Sequence, residues 1–486
     1  MNAGGGHPLR VLLTGAAGYL GSHVHRALLA AGHDVIAVDA LLEAVHGPNP
    51  AVPQGVLPLD IRDEQALAPL LEGVDVVCHL AAAVPLPHLG DPLDAMPSAP
   101  DSGAQQELPR RSHAQTAGGR RAAATGDGAV GGDGENPGES RSAPVGGSGE
   151  PGPRGTEGPP SSDLDEGAGT VPTNREDGSK SAREGRAASA GPGGHGAGPC
   201  VRTPIGMDRG GQGRPGAEGL RWAALFATHN DVGTAVLLAA MERAGVRRLV
   251  LGSTVAVYGE GRYRGMRSGP FYPGLRRRGD LDRGLFDHRA PRSGEVLTWE
   301  PMGEDAPLRP RSAYAASKVA QEHYALAWVA NTGGHAAVLR YHHLYGEPVA
   351  DGRRPRSAES GVVARFLAEL AAGRPPRVFE DGGQVRDFMH VRDAAAATAA
   401  AVTRVVPGFV PLNIASGRPL TLWEVASTMA KAVDGPSPVV TGQCRITDIR
   451  HVVANPERAR HALDFNARII PAKGLAEYAA RGVGRR

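Results

Sequence analysis

The chain is 486 residues long, balances 53 Lys+Arg against 51 Asp+Glu for a net charge of +2, and combines 68 Gly and 40 Pro with only 4% aromatics. So even a balance excludes recognition of nucleic acid or an anionic membrane through bulk charge, and the Gly and Pro excess means that much of the chain is not core. The cysteines Cys78, Cys200 and Cys444 form no CxxC pair, so no disulfide framework and no zinc or other metal site is expected, and a reducing cytoplasm fits. The start, MNAGGGHPLR, has no apolar signal core, and no stretch is long and apolar enough to span a bilayer; a soluble, cytoplasmic protein is expected.

In chain order, Leu9–Leu13 reads as a short buried strand, followed by a glycine turn and a helix over Leu20–Ala31. Asp34–Val38 is a second strand, and Val74–Leu80 another that runs into the small residues Ala81–Ala83. From about Pro97 to Gly219 there is no Phe, Tyr or Trp, and Gly, Pro, Ser, Arg, Glu and Ala dominate. Such a stretch buries too little apolar surface to offset its ordering entropy, so it reads as disordered, a tether or an inert expansion. Beyond it, Thr234–Ala244 is a helix, Arg248–Leu251 a buried strand, Tyr314–Ala330 a helix and Ala336–Tyr341 a strand. Strands alternating with helices predict an α/β fold with a doubly wound parallel sheet, the insertion hanging from one of its loops.

VLLTGAAGYLGSHV sets Gly15, Gly18 and Gly21 between a strand and a helix. A turn of this kind lets backbone N–H groups and the positive helix end approach a pyrophosphate, with Tyr19 and Leu20 opening the helix. The second strand ends at Asp39, where a carboxylate accepts both ribose hydroxyls and repels a 2′-phosphate, so NAD is expected over NADP. LDIRD places Asp60 and Ile61 to hold the adenine. Further on, RPRSAYAASKVAQEHY carries Tyr314 and Lys318 one helical turn apart, with Ser312 and Ser317 as supporting residues; the pair alone is common by chance.

The Gly-x-x-Gly-x-x-Gly spacing together with Tyr-x-x-x-Lys resembles the extended short-chain dehydrogenase/reductases, specifically the NAD-dependent nucleotide-sugar epimerase/dehydratase family. Within it, the chain is most similar to the dTDP-L-rhamnose 4-epimerase-like and UDP-glucose 4-epimerase-like proteins. HLAAAV (79–84), HNDVGTAVLLAA (229–240), LGSTVAVYGEG (251–261), VLRYHHLYGEP (338–348), VFEDGGQVRDFMHVRDAA (378–395) and LNIASGRPLTLWEVA (412–426) follow in the family's order. The resemblance implies a Rossmann-like domain split into 8–96 and 220–345, and a smaller substrate-binding domain over 346–486, with 387–414 returning to the main sheet. It implies Leu80, Ala81, Ala82 and Asn230 as further cofactor contacts, and a homodimer joined through a four-helix bundle.

Oxidising a sugar alcohol requires a base for the hydroxyl proton and an acceptor for hydride. A free Tyr, with a pKa near ~10, is too weakly acidic for this at neutral pH, and a cation beside it pulls that value down. The resemblance casts Tyr314 as that base, Lys318 as the cation and ribose contact, and Thr254 as the hydroxyl that bonds the sugar oxygen. Where the family's 4,6-dehydratases carry an Asp-Glu pair after this Thr, the chain has Val255 and Ala256, which leaves 4-epimerisation of a nucleotide sugar as the expected reaction. Arg386 and Arg445 match arginines that hold the nucleotide diphosphate, Asp448 follows at the family's usual place as a further substrate-binding residue, and His343 replaces a substrate-contacting Asn. The stretch between Thr254 and Tyr314 is extended, as in the dTDP-L-rhamnose 4-epimerase-like proteins, and 260–308 reads as a flap over the sugar nucleotide. Two alternatives stay open: an oxidoreductase with net NAD(H) turnover, and a non-catalytic NAD-binding sensor.

Overall fold

In the computed structural model, residues 7–85, 217–267, 269–349 and 361–484 are described. The segment expected to be disordered lies outside them up to residue 216; a helix, Ala217–Phe226, begins just inside its expected end. Seven parallel strands form the main sheet: β1 (Arg10–Thr14), β2 (Asp34–Asp39), β3 (Val56–Pro58), β4 (Val76–His79), β5 (Arg248–Thr254), β6 (His335–Tyr341) and β7 (Phe409–Ile414). Their order across the sheet is β3-β2-β1-β4-β5-β6-β7, the doubly wound arrangement in which a ligand crevice opens at the strands' carboxyl ends, beside the first turn.

Helices cover both faces because the strands are apolar on both. On one side α1 (Tyr19–Ala30) lays Val24 and Leu28 against the sheet with Ala394, Ala397 and Ala401 of α5 (Val391–Thr403). On the other, α2 (Gly233–Arg243) and α3 (Ala313–Thr332) bury Leu237, Met241, Ala325 and Trp328. A six-residue π-helical turn, Ala227–Val232, precedes α2. A second core gathers Phe366 of α4 (Val362–Ala371), Val425 and Met429 of α6 (Leu422–Ala432) and Leu475 of α7 (Pro471–Val483) around Phe388. Strand 385–390 carries Phe388 and pairs with strands 343–345, 419–421 and 451–452.

The extended segment contains a small antiparallel sheet in which Arg262–Arg264 pairs with Pro270–Phe271 and Thr298–Glu300. Buried ionic contacts fasten it: Glu260 meets His288 and Arg311, each at 3.1 Å, and Arg276 reaches Glu380 at 2.6 Å. Asp287 pairs with Arg450 at 2.8 Å. Burial alone would raise the Glu260 carboxyl, but His288 and the Tyr263 hydroxyl hold it at about 2. Glu260 also accepts from the backbone N–H groups of Arg450 (3.1 Å) and His451 (2.8 Å), which ties the start of the segment to the C-terminal region. Cys78 in β4 is a buried free thiol. Cys444 is disulfide-bonded, against the expectation of no disulfide, and its partner lies outside the described residues.

Candidate active site

The turn after β1 is built for close approach. Gly15 has φ +75° and a Cβ there would lie 2.6 Å from the Ala81 nitrogen; a Cβ on Gly21 would run into the Gly15 carbonyl. Only glycine serves at either position. Gly18 is the N-cap residue of α1, and no side chain caps that helix end, which leaves free N–H groups and the positive helix terminus facing the crevice. Asp39, 7% exposed at the end of β2, accepts from Ala17 N (3.0 Å) and Leu41 N (2.9 Å), and His46 Nε2 stands 3.3 Å from its Oδ1. The carboxylate therefore braces the glycine turn as well as facing the crevice.

Two cavities adjoin over Gly15, Gly18, Leu80 and Ala82. The smaller, about 70 Å³, is lined by Asp39, Asp60, Ile61, Ala81 and Ala82. The larger, about 420 Å³, is lined by Tyr19, Leu20, Gly21, Thr254, Tyr314, Lys318 and His343. One crevice thus gathers the residues expected to hold a dinucleotide and those expected to act on a substrate. Asp60 is also gripped by its own neighbour, Arg62 Nε standing 3.0 Å from both carboxylate oxygens.

Asn230 is placed differently from the expectation of a cofactor contact. It lies in the π-helical turn, accepts from Ala83 N (2.7 Å), and donates to Ala83 O (3.1 Å) and Ser317 Oγ (2.9 Å). Its side chain ties the wall behind the cofactor to α3. Beside it His79 joins Thr14 (2.8 Å) and Thr234 (2.9 Å); burial and the charge of Lys318 keep the ring neutral, with a pKa of about 3.

Ser312 N-caps α3, its Oγ accepting from Ala315 N at 3.1 Å, and Ser317 Oγ donates to Tyr314 O at 2.8 Å. These bonds set the first turn of α3 so that Tyr314 and Lys318 both line the larger cavity. The Tyr314 ring is part-exposed and packs edge-on against Phe226, centroids 5.7 Å apart. Burial pushes its phenol up to about 12 and the Lys318 ammonium down to about 8, with Glu322 and Asp231 opposing the latter shift. Desolvation dominates at Tyr314, and the expected lowering by Lys318 does not offset it. Thr254 Oγ1 accepts from Ala256 N (3.2 Å), leaving its proton free to donate.

Behind these groups, Ser253 Oγ donates to Glu322 Oε1 (2.5 Å), Arg340 reaches the same carboxylate at 2.6 and 3.0 Å, and Arg340 Nη1 donates to Tyr258 O–H oxygen at 2.8 Å. This buried pair spans β5, α3 and β6 and was invisible as a motif, since its partners are distant in sequence.

Arg386, Arg445 and Asp448 do not line the cavity. Arg386 donates to the carbonyls of Val385 (2.8 Å), Arg450 (3.0 Å) and Ile449, because a buried guanidinium must fill its donors. Arg445 closes on Asp448 instead, Nε to Oδ1 at 2.9 Å. The lining includes residues that no motif singled out: His342 and Tyr345 at strand ends, Phe388 within strand 385–390, Val362 and Val363 from the start of α4, and Tyr478 from α7. His342 had one signal, its position just past a strand at the carboxyl edge of the sheet.

The sequence profile of the NAD dependent epimerase/dehydratase family matches residues 11–92 and 292–415. A dTDP-L-rhamnose 4-epimerase of Burkholderia thailandensis is 30% identical over 263 residues, covering 54% of this chain and 70% of that protein. A UDP-glucose 4-epimerase of Mycolicibacterium smegmatis is 30% identical over 252 residues, covering 52% and 67%. Among solved structures, UDP-glucose 4-epimerase from Thermotoga maritima with UDP-glucose aligns at TM-score 0.56 and 18% identity, over 97% of each chain. The dTDP-glucose 4,6-dehydratase DesIV of Streptomyces venezuelae, solved with NAD, aligns at TM-score 0.56 and 19% identity over 98% of each. At such identities the structural likeness speaks for the fold.

Proposed function

The chain belongs to the NAD-dependent epimerase/dehydratase family, and from that premise we propose that it is a nucleotide-sugar 4-epimerase acting on a dTDP-6-deoxyhexose or a UDP-hexose. The observation that carries the choice of reaction is Val255–Ala256. Both line the cavity directly after Thr254, where a 4,6-dehydration requires an acid–base pair, and neither side chain can transfer a proton.

The crevice fits NAD: the cradle at Gly15 and Gly21, the bare N-terminus of α1 and Asp39 match pyrophosphate and ribose. When bound, NAD supplies the acceptor and donor of the C4 hydride. Tyr314 takes the proton of the sugar 4-hydroxyl and later returns it, and Thr254 donates to the same oxygen. Lys318 stays largely protonated at neutral pH, and a positive charge brought against the phenol would oppose the burial that holds Tyr314 at about 12. Between the two proton transfers the sugar must present its opposite face. By resemblance Arg386 and Arg445 are our assignment for the diphosphate, a role that requires them to give up the carbonyl and Asp448 contacts described above. For assembly we assign the exposed Val232, Tyr324 and Leu326 of the α2–α3 side to pairing of two copies in a four-helix bundle.

Absorbance at 340 nm during turnover tests the reaction class. An epimerase brings the sugars to equilibrium with no net change. Accumulation of reduced cofactor in step with sugar consumed would support net oxidoreduction, and a 4-keto-6-deoxy product would overturn the assignment in favour of dehydration.

A further inference from the structure

The larger cavity holds a polar side chain that the proton transfers above leave without a task. His342 follows Tyr341, the last residue of β6, whose strand partner across the ladder is Thr254. Its backbone N–H donates to Ile414 O at 3.0 Å, which fixes it at the carboxyl edge of the sheet, between the ends of β5 and β7. The residue is 3% exposed and lines the cavity with Thr254, Tyr314 and Lys318. Among the described residues neither its Nδ1 nor its Nε2 has a hydrogen-bond partner. Buried polar atoms in folded proteins are nearly always paired, and two empty positions on one ring are a marked exception. Set in the cavity wall, the ring is placed for a missing partner to come from a ligand.

The chemistry of the ring narrows what that ligand group is. Burial lowers the pKa of His342 to about 4; Asp387 works against this shift and Arg386 with it. The imidazole is therefore neutral, with one N–H donor and one acceptor nitrogen. A hydroxyl, which can either donate or accept, matches whichever of the two nitrogens it meets. A methyl group would leave the nitrogen it meets unpaired, and a carboxylate would face a ring that burial holds neutral.

We propose that His342 hydrogen-bonds a sugar hydroxyl other than the one being oxidised, and that through it this cavity selects a sugar bearing that hydroxyl over its deoxy form. The assignment rests on the nucleotide-sugar reading above and names a specificity residue within it. A site built to bond a hydroxyl rejects the analogue that lacks it, because its own buried polar atoms are then left unpaired.

The test is calorimetric, on the NAD-loaded protein, with UDP-glucose, UDP-galactose and dTDP-glucose and their 2-, 3- and 6-deoxy forms. Wild type should bind one parent sugar nucleotide at least about tenfold more tightly than one of its deoxy forms, the effect of losing a single neutral hydrogen bond. His342→Phe, similar in bulk and without nitrogens, should bind parent and deoxy form alike, with unchanged affinity for UDP or dTDP alone, and should raise KM more than it lowers kcat. His342→Gln, which keeps a donor and an acceptor, should restore much of the discrimination. Discrimination that persists in His342→Phe, or a loss shared equally by the free nucleotides, overturns the assignment. Failure of the wild type to bind any of the sugars overturns the nucleotide-sugar reading and this assignment with it.

Discussion

Tyr314 and Lys318 stand one helical turn apart on α3, and burial drives them in opposite directions, the phenol up to about 12 and the ammonium down to about 8. A general base so placed contributes about 10²- to 10⁴-fold to rate. Tyr314→Phe should lose turnover by that order while the purified protein retains NAD; turnover within about threefold of wild type would contradict its role. Asp39 faces a double demand, bracing Ala17 and Leu41 while facing the smaller cavity. Asp39→Asn keeps the shape but gives up the charge that repels a 2′-phosphate. Titration calorimetry should show NAD binding weakened by about tenfold, roughly one charge-assisted hydrogen bond, and the preference over NADP reduced. An unchanged preference would remove Asp39 from cofactor selection.

At the scale of elements, the Glu322–Arg340 pair joins α3 to β6 with both side chains buried. Removing one partner of such a pair strands the other charge and costs about 3–5 kcal/mol. Arg340→Met should therefore lower unfolding stability by that amount in urea, and a loss under about 1 kcal/mol would mean that Glu322 finds another partner. The elements of the main sheet were legible in the sequence because their signals are local: apolar runs, a glycine turn, and a change of period. The helix expected over Leu20–Ala31 is Tyr19–Ala30, and the strand expected over Ala336–Tyr341 is His335–Tyr341. What escaped depends on pairings between distant residues. The π-helical turn that redirects Asn230 is set by Ala83 and Ser317. The inward folding of Arg386 is set by carbonyls at 449 and 450. The anchoring of the extended segment is set by Glu260 meeting His451 N at 2.8 Å. No local pattern carries any of these.

At the scale of the molecule, the fold keeps several imidazoles neutral in its interior. Burial is the leading cause of the low pKa values of His79, about 3, and of His342 and His390, about 4. Each binds a proton more readily unfolded than folded, so stability falls as pH drops from about 6.5 toward 4. With each group worth up to about 1.4 kcal/mol per pH unit, the stability measured in urea should decline by a few kcal/mol between pH 7 and pH 5. A flat profile over that range would show that these rings are reached by solvent. The most direct test of the whole account is NMR of dTDP- and UDP-sugars incubated with the NAD-loaded protein. Inversion at C4 of at least one of them, abolished in Tyr314→Phe, is the predicted result. No inversion of any sugar, or inversion that survives in Tyr314→Phe, would contradict it.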